Sequence, residues 1–426
     1  MYLGKLLLIK SRDIRFYYYN IDMTTDSKSL QHFLQSNLSH KFTHIKREKF
    51  SPIATTFLSS IFENIRLADE DFDNVDLVSS QLFKNEVPKG SNYKLCPEKA
   101  RNHIENMKSI GQSCRFSVNG RKISVHIVNE GTQKPNFSTM FHRIYLLLHL
   151  LTTYSRQECS QSLTIYLYLT TMKKTLSDCD RDCTIGQDNA NTAFTFACKR
   201  INEVYLYRKE EWFKVLGHEL FHSFGLDFSE YDCSEVDKEM FKIIPIRTDL
   251  RLYESYTELW GELMNTMFIV HFSSKMGEPI EKKIKKLELL LYQERMFSVY
   301  QSSKVLTHFG MSYDDLYLRT DNAMKNRHFY KETTPILSYY IIKNILMFHI
   351  GAFMEWCNEH NNGLLEFNKV DIKTNIDHFI GFIRKHYKSS PLVESMDQAR
   401  TWFIHQENTK RIDNSPITTL RMSLLD

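Results

Sequence analysis

Residues 214–228 of the chain, Lys214-Val-Leu-Gly-His218-Glu219-Leu-Phe-His222-Ser-Phe-Gly-Leu-Asp-Phe228, carry two histidines one turn apart inside an apolar helical pattern. Positions four apart lie one above the other on a helix face, so His218 and His222 share a face with Glu219 beside them. Neutral imidazoles at that spacing suit a zinc ion, which binds nitrogen at about 2 Å, and the neighbouring carboxylate suits removal of a proton from zinc-bound water. The stretch therefore points to a zinc-dependent hydrolase, most often a peptidase. His-Glu-x-x-His fixes only three positions, so chance also supplies it, and a satisfied pair of helical histidines is the competing expectation. Its surroundings decide between the two.

Those surroundings have a definite order. Phe116-Ser-Val and Lys122–Val128 flank Asn119-Gly120, a two-residue hairpin turn. A strongly apolar helix is predicted from Phe137 to about Ser155, then a strand over Ser162–Thr170, rich in β-branched and aromatic residues. A loop containing Cys179 and Cys183 follows, then a strand pair, Thr192–Ala197 and Glu203–Tyr207. The motif helix comes next. Glu210 and Glu211 are expected in its first turn, where the helix dipole favours acids, and Gly225 at its left-handed end. Phe213, Leu216, Leu220 and Phe224 recur at helical spacing and would pack it onto the sheet. Beyond Phe228 the pattern is mainly helical, with helices predicted over Leu252–Phe272, Ile280–Thr307, Pro335–Phe348 and Ile372–His386.

This order divides the chain into three. Residues 1–110 carry no functional signal beyond a helix around Thr55–Ile65, and a boundary is expected near Pro88–Asn92. Residues 111–228 form a sheet-bearing subdomain with the motif helix, and residues 229–426 a helical subdomain facing it across a cleft. At 426 residues and 42% hydrophobic, the chain can bury a core of that size.

A catalytic zinc needs a third protein ligand, leaving one position open. Leu252-Tyr-Glu254-Ser-Tyr-Thr-Glu258-Leu-Trp-Gly-Glu262 places three glutamates on one helix face. Such a line is usually a solvated face, but this stretch is otherwise apolar and aromatic. It resembles the gluzincins, zinc peptidases whose third ligand is a glutamate on a second helix, followed by a small residue and a second acid four positions on. Glu254, Ser255 and Glu258 match that pattern. The resemblance implies an α+β, zincin-like fold with a mixed sheet, one zinc ion held by His218, His222 and Glu254, and Glu219 as general base. It further implies that Glu258 accepts Nδ1–H of a zinc histidine, with His218 the expected partner, and that Ser255 lets the two helices approach. Glu258 is the main alternative ligand. The metzincin pattern, which would place its third ligand on residue 228, fails because Phe228 cannot bind zinc; Asp227 is one residue early and stays a minor alternative. The segment Asn189–Thr195 and the general character of the chain are similar to uncharacterised metallopeptidase-like proteins of large DNA viruses.

A donor for the developing oxyanion is expected from the helical half, with Tyr339 and Tyr340 as first candidates and His308 and His328 behind them. The strand near Glu203–Tyr207 is expected to be an edge that holds an extended peptide by strand addition. The expected partner is a peptide or protein substrate; nothing in the chain distinguishes endopeptidase from exopeptidase or sets an oligomeric state. The competing functions are a non-catalytic protein on a zincin fold, in a structural or host-interaction role, and a zinc hydrolase acting on a non-peptide amide.

Composition excludes other classes. The net charge is +4, with both signs interspersed, which argues against a dedicated nucleic-acid binder. The densest basic run, Glu281-Lys-Lys-Ile-Lys-Lys-Leu-Glu288, reads as a solvated helix face. Met1–Lys10 has too short an apolar run for a signal peptide, and Ile144–Leu151 is too short to span a bilayer, so a soluble cytoplasmic protein (host cytoplasm or virion if viral) is expected. Eight cysteines without disulfide rhythm fit a reducing compartment, and the close pair Cys179 and Cys183 lacks the second Cys/His pair of a metal site.

Overall fold

The computed structural model describes residues 23–176, 184–409 and 414–426. The chain is a mixed α+β fold built on one six-stranded sheet. Its strands are β1 (Val78–Gln81), β2 (Ser109–Val118), β3 (Arg121–Glu130), β4 (Ser162–Leu169), β5 (Ala193–Phe194) and β6 (Ile201–Leu206), in the spatial order β1-β2-β3-β4-β6-β5. Asn119 and Gly120 join β2 to β3 with φ of 45° and 78°, the two positive values that a type I′ hairpin turn demands. β3, β4 and β6 run parallel, while β1, β2 and β5 are antiparallel to their neighbours.

Period-two alternation sorts the central strands into two buried faces. Ile123, Val125, Ile127, Leu163, Ile165, Leu167, Val204 and Leu206 enter the main core beneath the helices. Tyr166, Tyr168, Tyr205 and Tyr207 face the other way, into a small second core closed by Tyr93, Ala100 and Ile104. Burial on both faces is why β4 reads as a nearly continuous apolar and aromatic run. On the main face, the helix Phe137–Tyr154 and the motif helix Trp212–Ser223 pack side by side. The helix Pro52–Phe72, capped by Ser51, packs on Phe137–Tyr154 and so joins the first hundred residues to the same core.

The helical half is led by Leu252–Ser273, the glutamate helix, and Ile280–His308. Segment Pro335–Phe348, expected as one α-helix, is a π-helix over Leu337–Ile342 that continues as an α-helix over Lys343–Phe348. The last described stretch, Thr419–Asp426, is threaded through the interior. Leu424 and Leu425 donate their amides to the buried carboxylate of Glu294, and Gln301 and Lys304 hold the Thr419 carbonyl. Among the described residues, no single helix is long and apolar enough to cross a membrane.

Three expectations need correction. β6 lies inside the sheet between β4 and β5, and Glu203 is taken up by Ser91, Asn92 and Tyr205; the edge is the two-residue β5. The motif helix starts at Trp212, so Glu210 and Glu211 stand just ahead of its first turn rather than in it, and both are buried. Cys159 and Cys198 form a disulfide, joining the start of β4 to the loop before β6, so the cysteines are not all free thiols. Cys179 and Cys183 lie outside the described residues.

Candidate metal centre

The motif helix is buried on every side from Phe213 to Ser223, with Leu216, Leu220 and Phe221 turned into the core. It ends where Gly225, at φ 62°, folds the chain back; Gly225 and Leu226 donate their amides to the His222 and Phe221 carbonyls. The glutamate helix crosses it at a pair of glycines. A Cβ on Gly261 would stand 3.1 Å from the Lys214 carbonyl oxygen and 3.3 Å from the His218 nitrogen, and a Cβ on Gly217 would meet Gly261. Ser255 is buried, but its hydroxyl donates to Leu252 within its own helix. The glycine pair, which the sequence pattern did not single out, is where the backbones come together.

That crossing brings three ligand atoms to one point. His218 Nε2 lies 3.1 Å from Glu254 Oε2, His222 Nε2 lies 3.3 Å from the same oxygen, and the two Nε2 atoms are 3.2 Å apart. Ligands about 2 Å from a tetrahedral zinc are about 3.3 Å from one another, so the triangle has the size such an ion requires. His218, His222 and Glu254 are all buried and could hold a metal ion.

The far sides of both rings face carboxylates. His222 Nδ1 contacts Asp227 Oδ2, and Asp227 is itself held by Thr257 Oγ1 at 3.2 Å, the Ser229 amide at 3.0 Å and Ser229 Oγ at 2.7 Å. His218 Nδ1 lies 3.0 Å from Glu258 Oε2 in a bent approach. Carboxylates at both Nδ1 atoms favour the tautomer with the proton there, which leaves both Nε2 lone pairs aimed at the same point. Two lone pairs and a carboxylate oxygen at mutual contact repel unless a cation or protons lie between them. With neutral imidazoles, Glu254, Glu258 and Asp227 together with the Lys214 ammonium beside Glu258 sum to −2, the charge one divalent ion cancels.

The electrostatics agree. Burial opposes charge on both histidines, but Glu254 and Glu258 around His218, and Asp227 and Glu254 around His222, win and raise both pKa values. Burial would likewise raise Glu254, yet His222 and His218 hold it well below the usual carboxylate range. Glu219 behaves differently. It touches neither ring within hydrogen-bond distance, and its burial raises its pKa.

Glu219 and His218 border a cavity of about 30 Å³, room for roughly two waters, whose other walls include Thr192 and Ala193 at the sheet edge, Val215, Tyr339 and Met422. The Tyr339 ring lies 6.0 Å from the His218 ring, and burial keeps its phenol protonated. Tyr340 points elsewhere, donating to the Leu420 carbonyl at 2.5 Å. His328 is exposed and turned to the Met324 carbonyl. Glu262, the third glutamate of the face, pairs with Lys343 at 2.8 Å, so all three have basic partners and none is solvated.

Sequence reasoning missed Lys214 as a partner of Glu258 and Asp227 as a partner of His222. The signals were a lysine one turn ahead of His218 on an apolar face, and an acid two residues past the glycine that turns the chain back under His222.

No family model matches the chain, and no solved structure matches it. It is similar to an uncharacterised protein of Acanthamoeba polyphaga mimivirus, 22% identical over 301 residues, covering 66% of this chain and 70% of that protein.

Proposed function

We propose that the chain is a zinc-dependent peptidase of gluzincin type, with a zincin-like arrangement of sheet, motif helix and glutamate helix. The observation that carries this is the triangle of His218, His222 and Glu254 ligand atoms with a carboxylate behind each ring and Glu219 free of that network at the cavity wall. Zinc bound there would supply Lewis acidity, polarising a carbonyl and acidifying a water.

The remaining work belongs to this chain's side chains. Glu219, whose pKa burial raises, takes a proton from the attacking water and returns it to the leaving amine. Tyr339, protonated and facing the same cavity, donates to the developing oxyanion. Asp227 and Glu258 keep the rings in one tautomer. β5 ends the sheet, so its outer edge is the place for an extended peptide. Lys174 and Lys214 line the cavity, but Glu211 and Glu258 neutralise them, so neither serves as a carboxylate anchor of the kind a carboxypeptidase needs.

Zinc content and cleavage of a peptide library, measured for wild type, Glu219→Gln and Glu254→Ala, test the proposal. Wild type should bind one zinc and cleave, Glu219→Gln should bind and not cleave, and Glu254→Ala should lose zinc. The tightness of the cavity favours a second proposal, a structural zinc in a non-catalytic protein; zinc uptake without turnover in wild type would select it.

A further inference from the structure

We infer that Lys214 is a positioning residue of the metal centre, fixing the orientation of Glu258 and through it the ring of His218. This rests on the zinc proposal above. Lys214 stands one helical turn before His218 and is 1% exposed. Its Nζ contacts Glu258 Oε1, while Oε2 of the same carboxylate faces His218 Nδ1 at 3.0 Å. One buried carboxylate thus bridges a lysine and a ligand, and each oxygen has one partner.

The surroundings leave Lys214 no other anion. Glu211, just ahead of the motif helix, is occupied by Lys174 Nζ at 2.7 Å and by the amides of Met422 at 2.9 Å and Ser423 at 2.6 Å. Glu262, the next acid along the glutamate helix, is held by Lys343. On its remaining side Nζ meets the Met422 sulfur at 3.8 Å, so the Thr419–Asp426 segment covers the lysine and confines it beside the small cavity. An ammonium so confined cannot follow Glu258 if that side chain turns; it keeps Oε1 and leaves Oε2 for His218. Without it, one oxygen of a buried carboxylate is unpartnered and the side chain is free to rotate away from the ring.

The test is a double-mutant cycle on zinc affinity, read by competition with a chromophoric chelator for wild type, Lys214→Met, Glu258→Gln and the double variant. Lys214→Met should weaken zinc binding about tenfold and Glu258→Gln about 10–100-fold, with the double variant within about threefold of Glu258→Gln alone. Lys214→Arg, which keeps a cation facing Glu258, should recover most of the loss. Near-UV circular dichroism checks folding, and Lys214→Gln enters the cycle if Lys214→Met fails to fold. Unchanged affinity in the lysine variant, or losses that simply add in the double variant, would overturn the inference. A wild type that takes up no zinc overturns the metal proposal itself, and that result is seen before any variant is made.

Discussion

Replacing Asp227 by Asn is the sharpest perturbation of the candidate centre because it changes charge and donor pattern without changing shape. Asp227 is fully buried and uses both oxygens as acceptors, Oδ1 for the Ser229 amide and hydroxyl and Oδ2 for His222 Nδ1 and Thr257. An amide has only one oxygen. If it faces His222, its NH2 meets the Ser229 N–H; if it faces Ser229, two donors meet at His222 Nδ1. Either arrangement loses a charge-assisted hydrogen bond of about 1.5–3 kcal/mol, which is roughly 10–100-fold in an equilibrium constant. Part of that loss falls on zinc, because only the Nδ1-protonated ring presents Nε2 to the ion. Zinc dissociation constants from chelator competition should therefore rise about 10–100-fold, with Ser229→Ala, which leaves Oδ2 untouched, within about threefold of wild type. A folded Asp227→Asn protein that binds zinc within twofold of wild type would refute the assignment of Asp227 as the residue that orients His222.

Three further outcomes follow from the same contacts. In the metal-free protein the raised histidine pKa values contribute stability that is full below about pH 6.5, the unfolded value, and is lost as pH rises through the folded values. Zinc must displace those protons, so its affinity should climb with pH over the same window and uptake should release protons, measurable by calorimetry in buffers of different ionisation enthalpy; no release would contradict it. Gly261→Ala presses a methyl group on the Lys214 carbonyl and the His218 nitrogen, and should cost about 1–3 kcal/mol in urea unfolding and weaken zinc binding; a neutral result would mean the helices part without penalty. Cys198→Ser opens a loop of 39 residues and should lower stability by up to about 4 kcal/mol in chemical denaturation, which an equal loss on adding dithiothreitol to wild type would match.

The elements set by local periodicity were legible. The Asn-Gly turn, the start of the glutamate helix at Leu252 and both ends of Ile372–His386 stand where the pattern puts them, because each is marked by turn chemistry or an unbroken amphipathic run. The illegible parts are those fixed by tertiary contact. β5 is two residues long and exists because β6 offers it an edge, so of the strand read from Thr192–Ala197 only Ala193 and Phe194 are paired. Glu203 looks like the outward residue of an edge strand until the loop at Ser91 and Asn92 wraps onto it. Around the metal centre, spacing could pair glutamates with histidines but could not say which buried lysine neutralises which acid, since Lys214, Glu258 and Met422 are brought together from distant parts of the chain.

The threading of Thr419–Asp426 has a consequence in time. Glu211, which stands at the head of the motif helix, receives amides from residues 211 and 212 positions further along, and Glu294 waits for others 130 and 131 positions on. Loop closure over such separations is slow, so the sheet and the motif helix can form long before their innermost charges find partners. Until that segment docks, Glu211 and Glu294 lack these amide partners and Lys214 lacks its Met422 cover. The cover over Lys214 is therefore expected to close after His218 and His222 have met Asp227, Glu254 and Glu258, whose contacts span far shorter stretches of chain.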